Sequence, residues 1–350
     1  MGKVCSFRKG YGIAKDDLSS GGTPCILYGE LYTTYKTAIA KTIKSKTSIQ
    51  SKSLVYSQKD DVIIPCSGET AEDIATSICV PYDGVLLGGD LTIIHSDLDG
   101  AFLSNQINSV RKFDIARIAQ GKSIVHLQAD ELKKIFIFYP SIQEQRKISA
   151  FIDKIDERIE IQNKIISKYE TLIKGLCNMI FRHNKSVSLS DLVKCKTSAL
   201  QENMVSTCHR GEYKVLGASG AIAAIDTYQF EESGILVLKD GSKAGKIQFA
   251  EGKYSVIGTS VVLIPNEACD ARYLYFAMSS IDFEKYKVGS GIPHIYFKDY
   301  SNERIYYPEK SLRKRITEAL DAYDIKLGIE KEMLSTLQKQ KAFLIKSMFI

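Results

Sequence analysis

Two long stretches of the chain carry apolar residues at alternating steps of four and three. They run over residues 148–180 and 316–348. Gln162 and Glu330 take matching polar places in the two stripes, and Lys341 interrupts the second. The apolar members are Ile148, Ile152, Ile155, Ile159, Ile166, Tyr169, Ile173, Leu176 and Ile180, then Ile316, Leu320, Tyr323, Leu327, Leu334, Leu337, Leu344 and Met348. This spacing over about five heptads predicts two long helices, each with a narrow stripe that another helix has to cover.

A proline precedes each predicted helix, Pro140 before the first and Pro308 before the second. The residue before a proline avoids helical backbone, so a helix often begins just after one. Ser141 and Glu144 also have the spacing of a capping box. The two stripes favour packing against each other as an antiparallel coiled coil, in which the matching polar places favour one register. The pattern alone leaves a parallel pairing open.

The two helices belong to an internal repeat. Shifting the chain by 168 positions aligns residues 121–181 with 289–349 without a gap, and 13 of the 61 pairs are identical. The identical pairs are headed by Gly121, Ile124, His126, Ile137, Tyr139, Pro140, Ile148, Asp153, Asp156, Ile161, Ser167, Leu176 and Phe181. Chance would give only a few identities, so the repeat indicates a duplication, which sets the architecture of the chain.

The segments before the two helices have a different pattern. Short apolar runs bounded by Gly and Asp predict strands at 61–66, 91–95, 234–238 and 260–264. These segments match poorly between the copies, although Met1–Val4 resembles Ser190–Val193, so we expect no added arm before the first domain. The sequence predicts a mixed α/β chain with a pseudo-two-fold repeat. Its predicted parts are a first domain at 1–140, a central helix at 141–184, a second domain at 185–308 and a C-terminal helix at 309–350.

Composition narrows the class of protein. The 350 residues are 44% hydrophobic and 25% charged, with a net charge of +6, which permits an anionic partner without requiring one. No apolar run is long enough for a membrane span, and no signal peptide is apparent. The eight cysteines show no CxxC pair and no zinc-ligand spacing, so we expect reduced thiols in a cytoplasmic protein.

The sequence lacks the motifs of several enzyme classes. All seven prolines are isolated, which excludes the Asn/Asp-Pro-Pro-aromatic signature of amino-methyltransferases. The stretch GSKAGKI (241–247) is one residue short of a P-loop and has no Ser or Thr after Lys246. His126 and His294 occupy equal places in the two copies, but no catalytic partner recurs with them. A polar contact or a turn-fixing hydrogen bond is the favoured interpretation of both histidines.

The alternation of two diverged domains with two similar helices resembles the specificity subunit of type I restriction-modification systems. The matching stretches are FRKGYGIAKDDL, CILYGELYTTY, GSGIPHI and YPSIQEQRKISAFIDKIDERIE. The last contains the Pro-x-x-x-Glu-Gln-x-x-Ile entry into the family's spacer helix. The second copy departs from this entry, because Leu312 and Arg313 stand where the first copy has Glu144 and Gln145.

The resemblance covers essentially the whole chain and implies a role in DNA recognition. Each domain would be a target recognition domain that reads one half of an asymmetric, bipartite site in double-stranded DNA. The helices would set the gap and dock two modification subunits, which are adenine methyltransferases that carry S-adenosylmethionine. Restriction subunits would add translocation and cleavage driven by ATP with magnesium. This chain would bind no cofactor and no metal, and would catalyse nothing itself.

Candidate DNA contacts follow from residue chemistry within this resemblance. Phosphate contacts provide affinity and register, whereas base edges provide sequence information. The candidates for phosphate are Lys9, Lys15, Lys36, Lys41, Lys44, Lys122, Arg210, Lys239, Lys243 and Lys246, several of them in the acid-free lysine run from Lys36 to Ser53. The candidate glycine turns for close backbone approach contain Ser67 and Gly68, and Gly241 and Ser242. The candidates for bases or sugars are Tyr11, Tyr32, Tyr35, His126, Ser219, Ser290 and His294.

Two other interpretations stay open at this point. The chain would be a coiled-coil scaffold with two protein-binding modules and no role on DNA, or a fused nuclease or methyltransferase with unrecognised motifs. The lysine run would then be an ordinary solvated surface, and the tyrosines would be core residues. The salt dependence of duplex binding tests the first alternative, and methyl transfer by the isolated chain tests the second.

Overall fold

The computed structural model describes residues 1–51, 53–121, 124–183, 186–205, 211–267, 270–289 and 291–349. They form two compact units. The first unit contains Met1–Asn163 and Met333–Ile350, and the second contains Lys164–Glu332. Within the described ranges, no helix has the length and apolar character needed to cross a membrane.

Short strands form the globular part of the first unit. They are β1 (Cys5–Lys9), β2 (Leu18–Ser19), β3 (Thr23–Ile26), β4 (Ser45–Thr47), β5 (Asp61–Pro65), β6 (Ser67–Gly68), β7 (Ile78–Val80), β8 (Leu86–Leu87), β9 (Leu91–Ser96) and β10 (Val125–His126). One sheet has the antiparallel order β1-β9-β5-β7, a second has the order β2-β4-β3-β8, and β10 pairs with β6. Every residue of β5 is buried, as its continuous apolar run predicts.

Helices cover one face of the β1-β9-β5-β7 sheet. The chain forms α1 (Glu30–Thr33), α2 (Ala71–Ile74), α3 (Gly100–Asn108), α4 (Lys112–Ile118), α5 (Ala129–Lys134) and the long helix α6 (Ile142–Phe181). Leu103 and Ile107 of α3 pack with Val62 and Ile94. Residues alternate between the two faces of a strand, so the intervening Ile63 belongs to a separate cluster on the opposite face.

The second unit repeats the central part of this architecture. Its strands are β11 (Val187–Ser188), β12 (Val193–Thr197), β13 (Tyr213–Gly217), β14 (Gly220–Ile225), β15 (Gly234–Leu238), β16 (Ile247–Ala250), β17 (Tyr254–Val256), β18 (Ser260–Pro265) and β19 (Arg304–Ile305), and its helices are α7 (Leu189–Leu192), α8 (Glu202–Val205), α9 (Ala271–Met278), α10 (Phe297–Tyr300) and the start of α11 (Lys310–Met348). The order β12-β18-β15 corresponds to β1-β9-β5, and α9 follows β18 as α3 follows β9. The two diverged segments are therefore two versions of one fold.

The two predicted long helices are confirmed. Helix α6 has 40 residues and α11 has 39, so each is about 60 Å long at 1.5 Å per residue. The capping box is also present: the Ser141 amide donates to Glu144 Oε2 at 3.1 Å, and the Glu144 amide donates to Ser141 Oγ at 3.4 Å. The predicted boundaries of the recognition domains stay a prediction.

Within each unit the two helices run antiparallel. In the first unit Ile148 and Ile152 cluster with Ile345 and Phe349, and Asp156 pairs with Lys341. In the second unit Glu170 pairs with Lys331 at 2.7 Å, and the α6 end at 177–181 clusters with residue 320 of α11. Residues near the start of one helix therefore contact residues near the end of the other, which excludes a parallel pairing.

The seam departs from a continuous, fully buried apolar stripe at two positions of α11. Lys341, which interrupts the stripe, lies against the buried carboxylate of Asp156, so a salt bridge replaces an apolar contact there. Tyr323, an apolar member of the predicted stripe, is 36% exposed, so it is only partly covered. The adjacent Asp324 is bound by Arg272 from α9 at 2.8 Å, so that side of the helix faces the globular part.

Candidate nucleic-acid interface

Both units contain the same small hairpin before the long helix. In the first, Gln120 and His126 exchange backbone hydrogen bonds of 2.9 and 2.7 Å, and in the second Val288 and His294 exchange bonds of 2.9 and 2.8 Å. Each loop begins with a glycine of positive φ, which non-glycine residues rarely adopt. The repeated sequence therefore gives the same pair of backbone hydrogen bonds and the same positive-φ glycine in both units.

The repeated histidine contacts a different residue in each unit. His126 Nδ1 lies 3.3 Å from the hydroxyl of Ser67 on β6, whereas His294 Nδ1 lies 2.8 Å from Asp240 Oδ1. These polar contacts confirm the interpretation of the two histidines. A carboxylate accepts a hydrogen bond from Nδ1–H of His294, while a serine hydroxyl can bind either tautomer of His126. The shared hairpin thus carries a different hydrogen-bonding surface in each unit.

One further candidate of the first unit, Lys9, lies near Ser67, and Tyr32 is partly buried. Lys9 pairs with Thr92 on β9, whose hydroxyl lies 3.1 Å from Sγ of Cys66, the residue before Ser67, and burial raises the pKa of that thiol. Burial also raises the pKa of Tyr32, and nearby acidic groups that include Glu69 raise it further. A lysine, a serine and a histidine from three parts of the sequence are therefore brought to one area.

The prediction of an open glycine turn at Ser67 and Gly68 is wrong. Gly68 is buried in β6, and a Cβ there would lie 3.5 Å from Ile74, so its backbone is covered by the core. Strand β6 pairs with β10, which comes from a distant part of the chain, so these residues form a strand instead of the predicted turn. Ser67 remains partly exposed beside His126.

In the second unit the loop after β15 carries most of the candidates. Gly241 has φ +94°, and nothing lies within 4 Å of a Cβ built on it, so this turn is open as predicted. The exposed candidates that follow are Ser242, Lys243 and Lys246. Lys246 Nζ lies 3.4 Å from a carbonyl of the β13–β14 turn, which also holds the exposed Ser219. Lys239 directly follows β15, with its amino group 4.0 Å from Asp240.

The core holds this loop in place. Gly245 has φ +88°, and a Cβ there would lie 2.5 Å from Phe283, so a larger residue cannot be accommodated without movement. Asp240 and His294 also form a backbone bridge, and the Gly241 amide donates to the Pro293 carbonyl at 3.0 Å. The basic loop and the repeated hairpin therefore form one preorganised surface.

Two candidates have other contacts in the structure. Tyr35 packs in a hydrophobic cluster, and burial raises its pKa to about 12. Lys41 lies 2.6 Å from Asp153 and 2.9 Å from Glu157 of α6, so its charge is paired within the protein. Neither placement favours a contact with DNA.

The remaining candidates are exposed or lie outside the described residues. Tyr11 is 59% exposed, and the lysines at 15, 36 and 44 are exposed as well. Lys122, Arg210 and Ser290 lie outside the described residues.

Two polar clusters had no signal in the sequence. Asp61 is fully buried and accepts from Arg8 at 2.7 Å and from His95 Nδ1 at 2.8 Å, which fixes two partly exposed side chains. In the second unit Lys253 lies over the ring of Tyr228, 4.7 Å from its centroid. Strand pairing creates the first cluster, and an isolated bridge between Phe230 and Tyr254 brings the second together, so the spacing of residues in the sequence reveals neither. Across the described part of the chain, no group of His, Cys, Asp or Glu residues could hold a metal ion.

Comparisons with known proteins agree with this architecture. A family model of the type I restriction modification DNA specificity domain matches residues 1–171 and 182–339. The specificity subunit of the type I restriction enzyme MjaVIII of Methanocaldococcus jannaschii is 30% identical over 122 residues, which is 34% of this chain and only 28% of the length of that relative.

Solved structures show the same fold. The S subunit of a type I restriction-modification system from M. genitalium matches with a TM-score of 0.67 and 16% identity, over 99% of this chain and 94% of that chain. A chain from a study of complex assembly and conformational transition of the type I restriction-modification system matches with a TM-score of 0.53 and 15% identity, over 99% and 96% of the two chains. Because the family model matches both repeats, the chain belongs to the type I restriction modification DNA specificity domain family.

Proposed function

We propose that this protein is the DNA specificity subunit of a type I restriction-modification complex. Each globular part reads one half of an asymmetric bipartite site, and α6 and α11 set the gap between the halves. The carrying observation is that one hairpin and one sheet order occur in both units, while the residues around the hairpin differ, as Ser67 and Asp240 do. Two domains that share a fold but differ in surface residues are suited to reading two half-sites of different sequence.

Modification subunits dock on the two helices in this proposal. Ile161 and Ile329 are an identical pair of the repeat, yet they are 55% and 58% exposed on α6 and α11. A repeated, exposed apolar residue suits a contact made once by each of two equal partners. Those partners bring S-adenosylmethionine and methylate adenine, and restriction subunits bring ATP with magnesium. The chain itself is non-catalytic and works in the cytoplasm.

Methylome sequencing of cells with and without this gene tests the function. We expect deletion to remove one asymmetric bipartite motif with a fixed gap from the methylated adenines, and complementation to restore it. An unchanged methylome in a strain that expresses the modification subunit would contradict the proposal.

The lysines near the hairpins are expected to contact phosphates. Replacing Lys9, Lys243 and Lys246 with Gln in the assembled complex should flatten the slope of log K against log salt by about two to three, because each lost phosphate contact contributes about 0.9. The methylated sequence should stay the same. Lys168→Gln with Lys339→Gln on the exposed helix surfaces removes charge without changing the slope in the same duplex titration. A slope equal to that of the wild-type complex would place the three lysines outside the interface.

The exposed isoleucines are expected to govern assembly. Ile161→Glu should remove one modification subunit and the double variant with Ile329→Glu should remove both, because a charge cannot enter an apolar contact without loss of hydration. Native mass spectrometry gives the stoichiometry, and an unchanged melting temperature of the isolated chain shows that folding is intact. Lys168→Glu on the same helix is the matched control. Full assembly of the double variant would exclude this docking site.

A further inference from the structure

We infer that each recognition domain is held on the helices by a repeated joint, and that this joint, besides helix length, determines how strictly the gap is enforced. The inference rests on the proposed function. In the first unit the joint is formed by Asp99, Phe102, Gln145, Ser149 and Phe349. In the second unit it is formed by Asp270, Tyr273, Arg313, Thr317 and Phe181. Gln145, Ser149 and Phe349 correspond to Arg313, Thr317 and Phe181 in the repeat of 168 positions. Asp99 and Phe102 correspond to Asp270 and Tyr273, because each aspartate directly precedes its helix, α3 or α9.

In the first unit the joint is a hydrogen-bond network at the start of α3 in which Asp99 is bound by uncharged donors. Gln145 accepts from the Asp99 amide at 3.0 Å and donates to the Pro140 carbonyl at 2.9 Å. Asp99 accepts from the Phe102 amide at 2.8 Å and from the Ser149 hydroxyl at 2.6 Å. One carboxylate therefore caps α3 and binds α6 at the same time.

In the second unit a buried ion pair takes the same place. Arg313 donates to both oxygens of Asp270, at 2.9 and 3.0 Å, and to the Pro308 carbonyl at 2.7 Å. Its guanidinium lies 4.0 Å from the centroid of the Tyr307 ring, and the side chains of Arg313 and Asp270 are 9% and 5% exposed. The departure from the Glu-Gln entry therefore keeps the donation to the proline carbonyl. It replaces the contact of Gln145 with the Asp99 amide by an ion pair between Arg313 and the Asp270 carboxylate.

Each joint also reaches the other long helix. The ring of Phe102 lies 5.0 Å from that of Phe349 at the end of α11, and the ring of Tyr273 lies 5.5 Å from that of Phe181 at the end of α6. Phe181 and Phe349 are an identical pair of the repeat. The first turn of α3 or α9 is thus fixed to both helices, which leaves the domain little freedom to tilt.

A fixed tilt has a consequence for DNA. Two rigidly held domains accept a wrong gap only if the duplex bends or twists, and that deformation costs free energy. A joint that tilts freely removes this penalty while leaving the base contacts of each half-site intact. We therefore expect a loosened joint to relax the gap and not the half-site sequences.

The experiment uses the complex with its modification subunits and measures methylation rates on duplexes with the native gap or one base pair more or fewer. Arg313→Met should lower the preference for the native gap by about tenfold, since removing the pair's cation frees the joint. Because this variant also leaves Asp270 unpaired, its stability should fall. Arg313→Met with Asp270→Asn removes both charges, and replacing both members of a buried pair is often neutral for stability.

The variant with Arg313→Met and Asp270→Asn distinguishes a loss of domain positioning from a loss of folding stability. We expect it to melt near the wild-type temperature and still show the relaxed gap, whereas Arg313→Gln with Thr317→Ser, which builds the joint of the first unit, should restore strict gap preference. Lys314→Met, an exposed neighbour on α11, is the matched control. A folded double variant with wild-type gap preference would overturn the inference. Failure of the wild-type complex to methylate any bipartite site would instead overturn the proposed function.

Discussion

Replacing residues 185–308 with the matching segment of a relative is expected to change one half of the methylated motif completely and to leave the other half unchanged. The second globular part has its own sheet β12-β18-β15-β16 and its own hydrophobic core. Its candidate contacts, which include Ser219, Lys243 and His294, all lie within the exchanged segment. Direct readout depends on the side chains that reach the base edges, so the exchange transfers the sequence preference with the domain. Adenine-methylome sequencing reports both halves and the gap.

The exchanged segment must also form the joint with the two long helices. Asp270 and Tyr273 contact Arg313 of α11 and Phe181 of α6 respectively, so the incoming segment must supply an aspartate and an aromatic residue at those two places. The exchange of residues 1–140 is the matched experiment and should change the opposite half. A change of both halves by either exchange would contradict the assignment of one half-site to one domain.

The architecture was predictable because its signals are long-range repetitions. The heptad stripes fixed the lengths of α6 and α11 to within a few residues, since a period kept over about five heptads exceeds any local ambiguity. The apolar stripe did not predict the contacts that the globular parts make with the two helices. Asp153 and Asp156 recur as Asp321 and Asp324, but their cations are Lys41 and Lys341 in one unit and Arg272 alone in the other. The identity of such partners depends on tertiary contacts that sequence spacing does not encode.

The candidate interface was only partly predictable for the same reason. Glycine chemistry identified the open turn at Gly241, because its positive φ is a local property. The equivalent prediction at Gly68 was wrong, because β10 arrives from 57 residues later in the chain to pair with it. Lys41 was chosen for its place in an acid-free run, yet the acids that pair with it lie on α6. Charge runs therefore indicated a basic surface without separating the lysines that face solvent from those that hold the fold together.

Adding one heptad to each long helix, after Gln162 and after Glu330, is expected to lengthen the unread gap by one to three base pairs. Seven residues add about 10 Å at 1.5 Å per residue and preserve the apolar stripe. Duplex DNA rises about 3.4 Å per base pair, so three base pairs are the upper limit. Three base pairs also rotate the second half-site around the duplex axis, and the accompanying deformation of helices or DNA favours the smaller shifts.

Adding two residues at the same places is the control for this experiment. Two residues turn the following part of each helix by about 200°, which removes residues such as Ile166 and Leu327 from the seam, so we expect assembly with the modification subunits to be lost. Methylome sequencing of the heptad variant then decides the role of the helices. An active heptad variant that methylates the same half-sites with the original gap would show that α6 and α11 do not set the distance. A longer gap with both half-sites unchanged would show that the distance resides in the helices and the sequence in the domains, because only the helices were altered.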